Sequence, residues 1–522
     1  MRGTAAALAL VYVDFLDELG SGVAPLSAAD IRDDLGVAYG GIALVLLVAP
    51  LLLSMLVEGP LLLLSDRWRR DRVAALCVGL MGGFMIAAAC TSSAWTLALA
   101  FGAWGSASGL ACGLSQGLLM DAYPEARERW MTRWTLMGAI GDMATPLLIL
   151  AVASLGLGWR AGLGLAGALH LLHAVVLARV RVQPAGTDEC EHDDESERDA
   201  PLLERLRAGL RDRDLLMWLG ACSLCCLLDE ILVAFGVLFM RDELGAPIDT
   251  QAIAFAACAV GGVVGLAVTE RLLPRIDGLR LLVLASLACA AAFVIWLQMR
   301  SIPASVAALF FVGFCVAPLY PICAARAYAA RPGQAGLVAA IDQLFAPISL
   351  LAPLLIGLVA DTIGIVVALG LLLVQPVGVG LVALAGLRRC RAAVVVGPSD
   401  PSMAYDEELA QRIRDLLADH PSYSERKMFG GLCFMFAGHM CAGVINDDLM
   451  LRVGPERFES TLARKHARPM DFTGRPSKGM VYVGKQGTKT KAQLQGWLTP
   501  ALEFVDSLPP KQAKPKNKPK LR

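Results

Sequence analysis

Long apolar runs recur through the first 390 residues of this chain, and no other feature constrains its fold as strongly. A helix of about 20 apolar residues is long enough to cross the hydrocarbon core of a bilayer. We identify twelve such runs, at about 5–27, 38–64, 73–93, 96–121, 133–155, 160–180, 215–239, 250–273, 279–299, 303–329, 334–359 and 363–387. The sequence therefore predicts an all-α polytopic membrane protein with twelve transmembrane helices in a lipid bilayer.

The arginines of this segment concentrate in alternate loops between the predicted spans. The richer loops carry Arg67, Arg69, Arg70, Arg72, Arg127, Arg129, Arg133, Arg179, Arg181, Arg271, Arg275, Arg280, Arg326, Arg331, Arg388, Arg389 and Arg391. The loops on the opposite side carry only Arg32, Arg160, Arg241 and Arg300. Because loops rich in Arg and Lys stay in the cytoplasm, we expect both termini there. We expect the protein in the cytoplasmic (inner) membrane of a bacterium.

Carboxylates lie inside several predicted spans. A charge at the centre of a bilayer costs at least ~3 kcal/mol, so such groups usually face the interior of a helix bundle or a water-filled path. The candidates for a substrate or ion pathway are Asp14, Asp17, Glu18, Glu58, Asp142, Asp229, Glu230 and Asp342. The alternative is that these carboxylates only pair with a neighbouring arginine or cap a helix.

Two histidines and three cysteines within the spans allow a functional and a structural interpretation. His170 and His173 either relay protons or pack as neutral rings in span six. Cys222, Cys225 and Cys226 form a C-x-x-C-C pattern, which is typical of redox or metal sites when it lies in a cytosolic loop. Free cysteine in a spanning helix behaves as a small apolar residue. The sequence favours the structural interpretation of both groups.

The two halves of this segment repeat. The pair Asp17-Glu18 precedes the pair Asp229-Glu230 by 212 positions, and Glu58 precedes Glu270 by the same offset. The sequence Ile31-Arg-Asp-Asp-Leu-Gly36 also resembles Met240-Arg-Asp-Glu-Leu-Gly245. These correspondences predict two parallel six-helix units, at 1–182 and 213–392.

The loop after span two carries a recognisable motif. It reads Leu62-Leu-Leu-Ser-Asp66-Arg67-Trp-Arg69-Arg70-Asp-Arg72. This resembles the G-x-x-x-D-R-x-G-R-R signature of the major facilitator superfamily of secondary transporters, although Leu62 and Arg69 replace its two glycines. The resemblance covers about residues 5–390 and implies that family's twelve-helix fold. It also implies that Asp66, Arg67 and Arg70 form a gating loop.

The family resemblance also implies which helices enclose the pathway. In that superfamily, spans 1, 2, 4, 5, 7, 8, 10 and 11 line a central cavity, and spans 3, 6, 9 and 12 lie outside it. All eight candidate carboxylates fall on spans that would line the cavity. Spans three and twelve contain no charged residue, and span nine contains only Arg280 at its first turn, as expected of helices that face lipid.

A polar connector at 183–212 separates the two halves. Its central stretch, 188–199, is a block of acidic residues that is expected to stay disordered and solvated. Cys190 and His192 with the neighbouring acids are an alternative metal site, but they have no regular ligand spacing. The chain contains no Walker phosphate loop. We expect neither an enzyme nor a cofactor.

The composition changes after a turn-rich linker at 393–402. Residues 1–402 contain 27 Arg and no Lys, whereas residues 403–522 contain 20 Lys and Arg against 13 acidic residues. We expect a helix at about 406–419, strands near 431–436, 439–445 and 448–453, a helix near 455–466, a strand at 480–484 and a last helix at about 491–507. The sequence therefore indicates a small α+β domain fused to the membrane segment.

This domain, at 403–510, resembles the N-terminal domain of the TfoX family, which is named for regulators of DNA competence. The matching segments include Lys427-Met-Phe-Gly-Gly-Leu432, Leu451-Arg-Val-Gly-Pro455 and Gly479-Met-Val-Tyr-Val483. The resemblance implies a helix, three strands, a helix, two strands and a helix. The basic tail at 511–522 either contacts nucleic acid or anionic lipid, or stays solvated.

Two functions follow from this organisation. The first is secondary active transport of a small solute, coupled to an ion gradient through the buried carboxylates, with protons as the expected ion. The second is a membrane-anchored regulatory or sensor protein whose TfoX-like domain binds a protein partner or DNA.

Overall fold

The computed structural model describes the protein in two compact units, residues 1–387 and 388–522. Within them it describes residues 4–36, 45–46, 49–65, 69–179, 202–395, 405–417, 423–428, 431–436, 439–454, 456–470 and 479–508. Several sequence predictions lie outside these residues. They are Asp66, Arg67, the acidic block at 188–199, most of the linker at 393–402 and the basic tail at 511–522.

The first unit consists of α-helices. In the first half they are α1 (Thr4–Ser21), α2 (Val23–Leu26), α3 (Ala28–Leu35), α4 (Ala49–Ser65), α5 (Arg70–Ala89), α6 (Ala94–Ala122), α7 (Arg127–Ser154) and α8 (Trp159–Ala178). After α9 (Leu202–Arg211), the second half has α10 (Arg213–Asp242), α11 (Ile248–Leu272), α12 (Gly278–Gln298), α13 (Ile302–Val316), α14 (Leu319–Ala330), α15 (Ala335–Asp342), α16 (Ala346–Thr362), α17 (Ile365–Gly370) and α18 (Val374–Val395).

Nine helical segments in the described part of the chain are long and apolar enough to cross a membrane. Three shorter apolar helices lie at 52–65, 335–345 and 351–362. Ten of these segments each coincide with one predicted span. The remaining two, at 335–345 and 351–362, together cover span eleven (334–359). Span one coincides instead with α1, which carries its three carboxylates.

Proline divides two of the predicted spans. The tenth span breaks into α13 and α14 at Ala317 and Pro318, and the eleventh breaks into α15 and α16 around a 3₁₀ turn at Gln343–Phe345, just before Pro347. Proline removes a backbone hydrogen bond and clashes with the preceding turn. In both spans, the break lies beside residues that line an internal cavity.

The end of the predicted acidic connector forms the amphipathic helix α9. The Arg205 guanidinium donates to the backbone carbonyl of Leu63 in α4 (3.4 Å), and Gly209 packs against Leu337 and Ile341 of α15. The connector is therefore not an open linker over its last ten residues, because α9 buries Arg205 between helices of both halves.

The second unit has helices on one face of a six-stranded antiparallel sheet. The helices are α19 (Glu407–Leu417), α20 (Phe458–Leu462) and α21 (Lys491–Asp506). The strands are β1 (Tyr423–Met428), β2 (Gly431–Phe436), β3 (His439–Ile445), β4 (Asp448–Arg452), β5 (Ala467–Pro469) and β6 (Met480–Val483), in the order β1-β2-β3-β4-β6-β5. Ile445 pairs with Asp448, and Asn446 has a left-handed φ of 51° at the predicted hairpin turn.

The strand β1 is an addition to the predicted order. The sequence Tyr423-Ser-Glu-Arg-Lys-Met428 lacks alternating apolar residues and so gave no strand signal, but it pairs with β2 along its whole length. β1 lies at an edge of the sheet and exposes Ser424 and Glu425, and charged residues on an edge strand discourage pairing with other chains. The domain is therefore a helix, four strands, a helix, two strands and a helix.

The alternation of β2 divides its side chains between two apolar clusters. Phe434 and Phe436 pack with Ile413 of α19 and Trp497 of α21. The other face of the sheet has its own apolar cluster, formed by Cys433, Met435, Met440, Ile445, Met450, Met470 and Tyr482. The second unit therefore has a core of its own.

Candidate functional site

A cavity of about 690 Å³ lies between the two halves of the membrane unit. Residues of α1, α6 and α7 line it on one side, and residues of α10, α11, α13 and α14 line it on the other. Its polar residues include the carboxyls of Asp14, Glu18 and Asp142, and its aromatic residues are Trp134, Phe255 and Tyr320. None of the residues that line it in the described part of the chain is Lys, Arg or His. The cavity is therefore apolar with an acidic region on one wall.

Two glycines bring α1 and α7 into close contact at this wall. A Cβ at Gly141 would lie 2.5 Å from the Phe15 carbonyl oxygen, and a Cβ at Gly138 would overlap the Asp14 carboxylate. Thr145 completes the contact, because its hydroxyl lies 3.3 Å from the Glu18 carbonyl and 3.2 Å from the Leu19 carbonyl. The absence of side chains at the two glycines holds the carboxyls of the two helices together.

The three carboxyls of this wall come from two helices. Asp14 lies against Gly138 of α7, and Glu18 lies against Gly141 of the same helix. The Ser21 hydroxyl donates to Glu18 Oε2 (3.3 Å). Asp142 lines the cavity from the middle of α7. The close contact between α1 and α7 therefore brings their carboxyls together at one wall of the cavity.

Asp17 faces another helix. The Ser108 hydroxyl donates to Asp17 Oδ1 (2.6 Å), and the Cys112 thiol lies 3.5 Å from Oδ2, both from α6. Asp17 and Glu18 are adjacent in sequence, so a helix points them about 100° apart. Of the predicted carboxylates, the cavity thus contains Asp14, Glu18 and Asp142, while Asp17 is satisfied at the contact between α1 and α6.

A second cavity of about 130 Å³ lies beside Asp342. Gln116 and Tyr320 line both cavities, and Gln116 accepts a hydrogen bond from the hydroxyl of Tyr328 (3.1 Å). Nearby, the Gln343 amide donates to Glu58 Oε2 (2.6 Å). Both hydrogen bonds join one half of the membrane unit to the other. Asp342 and Glu58 therefore belong to a polar group around α15, separate from the carboxyls of the large cavity.

Ion pairs join the two halves at the arginine-rich end of the unit. Glu270 Oε1 accepts from Arg129 (2.7 Å) and from Arg133 (2.7 Å), and Arg326 pairs with Glu128 (2.6 Å). Glu58 and Glu270 are two positions that the predicted repeat pairs, and both carboxylates contact the opposite half. Their partners differ, because Glu58 accepts from the Gln343 amide and Glu270 accepts from two guanidiniums.

The predicted gating loop is described in part. Arg70 is buried, pairs with Asp121 (2.9 Å) and donates to the Gly333 carbonyl (3.2 Å), while the Gly333 N–H donates to Asp121 Oδ1 (3.0 Å). These contacts also connect the two halves at the arginine-rich end. Asp66 and Arg67 lie outside the described residues, as do the side chains of Asp229 and Glu230.

The two histidines of span six are buried, and Cys225 and Cys226 line the large cavity. His170 is buried and bonded to the Ala166 carbonyl of its own helix (2.8 Å), and His173 bonds to the Ala9 carbonyl of α1 (2.9 Å). Cys222 and Cys225 are buried. Among the residues that the structure describes, no group of three or more His, Cys, Asp or Glu is arranged to hold a metal ion. Cys190 and His192 lie outside them.

Several cavity residues carry no charge and were not singled out by the sequence analysis. They are Gln116, Trp134, Tyr320 and Gln343. The sequence could have marked the two glutamines, because burying an amide inside an apolar span costs free energy unless the amide is hydrogen-bonded. Nothing comparable marks Trp134 or Tyr320, because aromatic residues are ordinary components of spanning helices.

Known proteins share both parts of this architecture. Residues 12–349 match the model of the Major Facilitator Superfamily, and residues 415–505 match that of the TfoX N-terminal domain. No curated protein matches the sequence at a significant level.

Solved transporter structures share the fold of the membrane unit, and each covers 73% of this chain. The proton:xylose symporter XylE bound to 6-bromo-6-deoxy-D-glucose has 12% identity, a TM-score of 0.58 and 94% of its own length covered. The E. coli fucose:proton symporter FucP has 10% identity, a TM-score of 0.57 and 97% of its own length covered. The human organic anion transporter MFSD10 (TETRAN) has 16% identity, a TM-score of 0.54 and 100% of its own length covered. The chain belongs to the Major Facilitator Superfamily, and its membrane segment is fused to a TfoX N-terminal domain.

Proposed function

We propose that this protein is a secondary active transporter that moves a small solute across the cytoplasmic membrane of a bacterium, driven by a proton gradient. The observation that carries the proposal is the cavity between the two halves, which has the carboxyls of Asp14 and Asp142 in the middle of their helices. The ion pairs of Glu270, and the hydrogen bonds of Arg70 and Asp121 with Gly333, join the two halves at the arginine-rich end. A cavity closed at one end by breakable contacts suits alternating access, in which one half rocks against the other.

The proposed proton coupling rests on the carboxyls of Glu18 and Asp142, which line the same cavity. A proton on a carboxyl in a site of low dielectric is released only when another positive charge or a change of surroundings stabilises the anion. Such a group can therefore link proton movement to solute movement. Asp17 and its repeat counterpart Asp229 are proposed to take part, since each lies in the acidic pair of its half.

The test of transport uses purified protein in liposomes with an imposed proton gradient. The vesicles are incubated with a cell extract, and solutes that accumulate are identified by mass spectrometry and retested singly. We expect accumulation that an ionophore abolishes. No gradient-dependent accumulation by correctly oriented protein would contradict the proposal.

The coupling residues are tested in the same vesicles. Asp17→Asn and Asp229→Asn are expected to abolish gradient-driven transport at unchanged expression, whereas the matched change at an exposed acid, Asp249→Asn, leaves it intact. Normal transport by both variants would mean that these carboxylates are structural.

The proposed topology has twelve spans and both termini in the cytoplasm. Reporter fusions after Arg391 and within 188–199 should both report a cytoplasmic location. A periplasmic signal at either point would overturn the twelve-span count.

A second candidate function is regulation through the TfoX-like domain. The observation that favours it is that the second unit has its own sheet and core. In this alternative the domain binds a protein partner or, with the basic tail, nucleic acid, and the membrane unit senses a solute. Absence of transport, together with specific capture of DNA or protein at physiological salt, would favour this regulatory function. DNA binding that occurs only at low salt would instead be non-specific and electrostatic.

A further inference from the structure

We propose that the large cavity binds an organic cation, a protonated amine or onium centre carried on an apolar body. This inference rests on the proposed transport function, and it assigns the class of solute to the same cavity. It is carried by the charge, the aromatic rings and the volume of the cavity. Each of these is a property of residues that lie in the described helices.

The charges that line the cavity have one sign. Asp14, Glu18 and Asp142 contribute three carboxyls, and the lining contains no basic residue. Arg133 and Arg326 approach the opposite half, but their guanidiniums form ion pairs with Glu270 and Glu128 at the arginine-rich end of the unit. An anionic solute placed here would meet only like charge, whereas a cation supplies the partner that a buried carboxylate needs.

The rest of the lining suits an apolar solute that packs against aromatic rings. Trp134, Phe255 and Tyr320 line the cavity together with aliphatic side chains such as Leu232 and Leu266. Aromatic faces attract cations, most strongly where water is excluded. A sugar would need many hydrogen-bonding partners, and the neutral polar side chains of this lining are few, Gln116 and Thr135 among them. The volume of about 690 Å³ accommodates a drug-sized molecule.

The carboxyls of the wall give the cation a route to proton exchange. When the cation enters beside a protonated Glu18, it supplies the positive charge that the proton supplied before, and that proton leaves to the water of the cavity. The other titratable groups that line the cavity are the carboxyls of Asp14 and Asp142, the thiols of Cys225, Cys226 and Cys258 and the hydroxyl of Tyr320, while Asp17 faces α6. Because all of these groups are acids, cation and proton compete for the same carboxyl, and the coupled movement is an exchange.

The test compares two probes of the same shape and opposite charge, tetraphenylphosphonium and tetraphenylborate. The full-length protein is purified in detergent, and binding is measured by equilibrium dialysis against protein-free micelles. We expect the phosphonium to bind at least tenfold more tightly than the borate and to release protons, detected with an indicator dye in weak buffer. Equal binding of the two probes, or no binding of the phosphonium, would overturn the proposal; binding without proton release would overturn the exchange.

Isosteric variants locate the binding site. Asp14→Asn and Glu18→Gln should each weaken phosphonium binding at least fivefold, while the exposed-acid control Asp249→Asn leaves it unchanged. Unchanged affinity in the double variant, with native elution and melting temperature, would place the cation elsewhere and overturn the assignment. If a variant does not fold, the comparison of the two probes on the unmodified protein still decides the class of ligand.

Failure of this inference is distinguishable from failure of the transport function. If the phosphonium binds but a proton gradient does not move it into liposomes or out of them, the cation site stands and transport is wrong. If the liposomes accumulate a neutral or anionic solute while the phosphonium does not bind, transport stands and the cation site is wrong.

Discussion

Replacing Glu270 by glutamine should open the arginine-rich end of the membrane unit. One carboxylate oxygen of Glu270 accepts from both Arg129 and Arg133 at 2.7 Å, and Glu270 is 19% exposed. The amide oxygen of glutamine still accepts a hydrogen bond, so the change removes the charge but keeps the shape. No other interaction of the closed end is altered.

The solvent exposure of Glu270, Arg129 and Arg133 determines how much free energy these ion pairs contribute. Exposed ion pairs contribute about 0.2–1 kcal/mol, and hydrogen bonds to charged groups about 1.5–3 kcal/mol. Arg129 is 42% exposed and Arg133 is 29% exposed, so solvent screens both pairs substantially. We therefore expect Glu270→Gln to disfavour the closed end by about 1–2 kcal/mol, which is a factor of about 5–30 in the population of the open state.

Cys226, which lines the large cavity, provides the readout. In sealed vesicles, a membrane-impermeant thiol reagent is added on the side that the arginine-rich end faces, and labelling of the Cys226 peptide is followed by mass spectrometry. The initial rate should rise about 5–30-fold in Glu270→Gln, in proportion to the open population. A change of less than twofold would refute the reasoning and assign closure to packing and to the contacts of Arg70.

The matched control is Asp242→Asn. Asp242 forms an ion pair with Arg241 (2.7 Å), but both side chains are at least half exposed and adjacent in sequence. Removing this charge should leave the labelling rate unchanged. An increase equal to that of Glu270→Gln would show that the assay reports general destabilisation.

Three further predictions concern the C-terminal domain. Residues 403–510 expressed alone should be soluble and unfold cooperatively, and insoluble or molten material would indicate that they need the membrane unit. Within this fragment, Asp406→Ala should cost about 1 kcal/mol, since Asp406 accepts from the N–H of Leu409 (3.0 Å) at the start of α19. That N–H and the Lys485 ammonium lower the pKa of Asp406. The contribution of Asp406 to the free energy of unfolding is therefore present at neutral pH and should be lost as the pH falls through the lowered pKa. Urea titrations of the fragment and of Asp406→Asn at several pH values measure this loss. Phe434→Ala should cost about 3–5 kcal/mol in the same titrations, because the ring is fully buried.

The sequence predicts nine of the long apolar helices in the described part of the chain because their signal is local. Twenty apolar residues in a row determine a helix in a bilayer, whatever the neighbours are. The positions of Asp14, Glu18 and Asp142 on two helices were also readable. Their meeting in one cavity was not, since it depends on the close contact at Gly138 and Gly141, and short-range patterns carry no such information.

Contacts between the halves were the least predictable part of the site. Glu58 and Glu270 occupy equivalent positions in the repeat, and the sequence gives no reason why one binds Gln343 and the other binds two arginines. The strand β1 was missed for a related reason. Its residues are polar because it lies at the edge of a sheet, and edge strands show no apolar alternation.

The close contact between α1 and α7 means that the distance between two helices sets the spacing of the cavity carboxyls. An alanine at Gly141 adds one methyl group where a Cβ would lie 2.5 Å from the Phe15 carbonyl oxygen, so the helices must separate. The carboxyls of Glu18 and Asp142 would then lie farther apart without any change in their chemistry. A family of such proteins can therefore adjust the spacing of its cavity carboxyls by exchanging small residues on a helix surface, while every acidic residue stays in place.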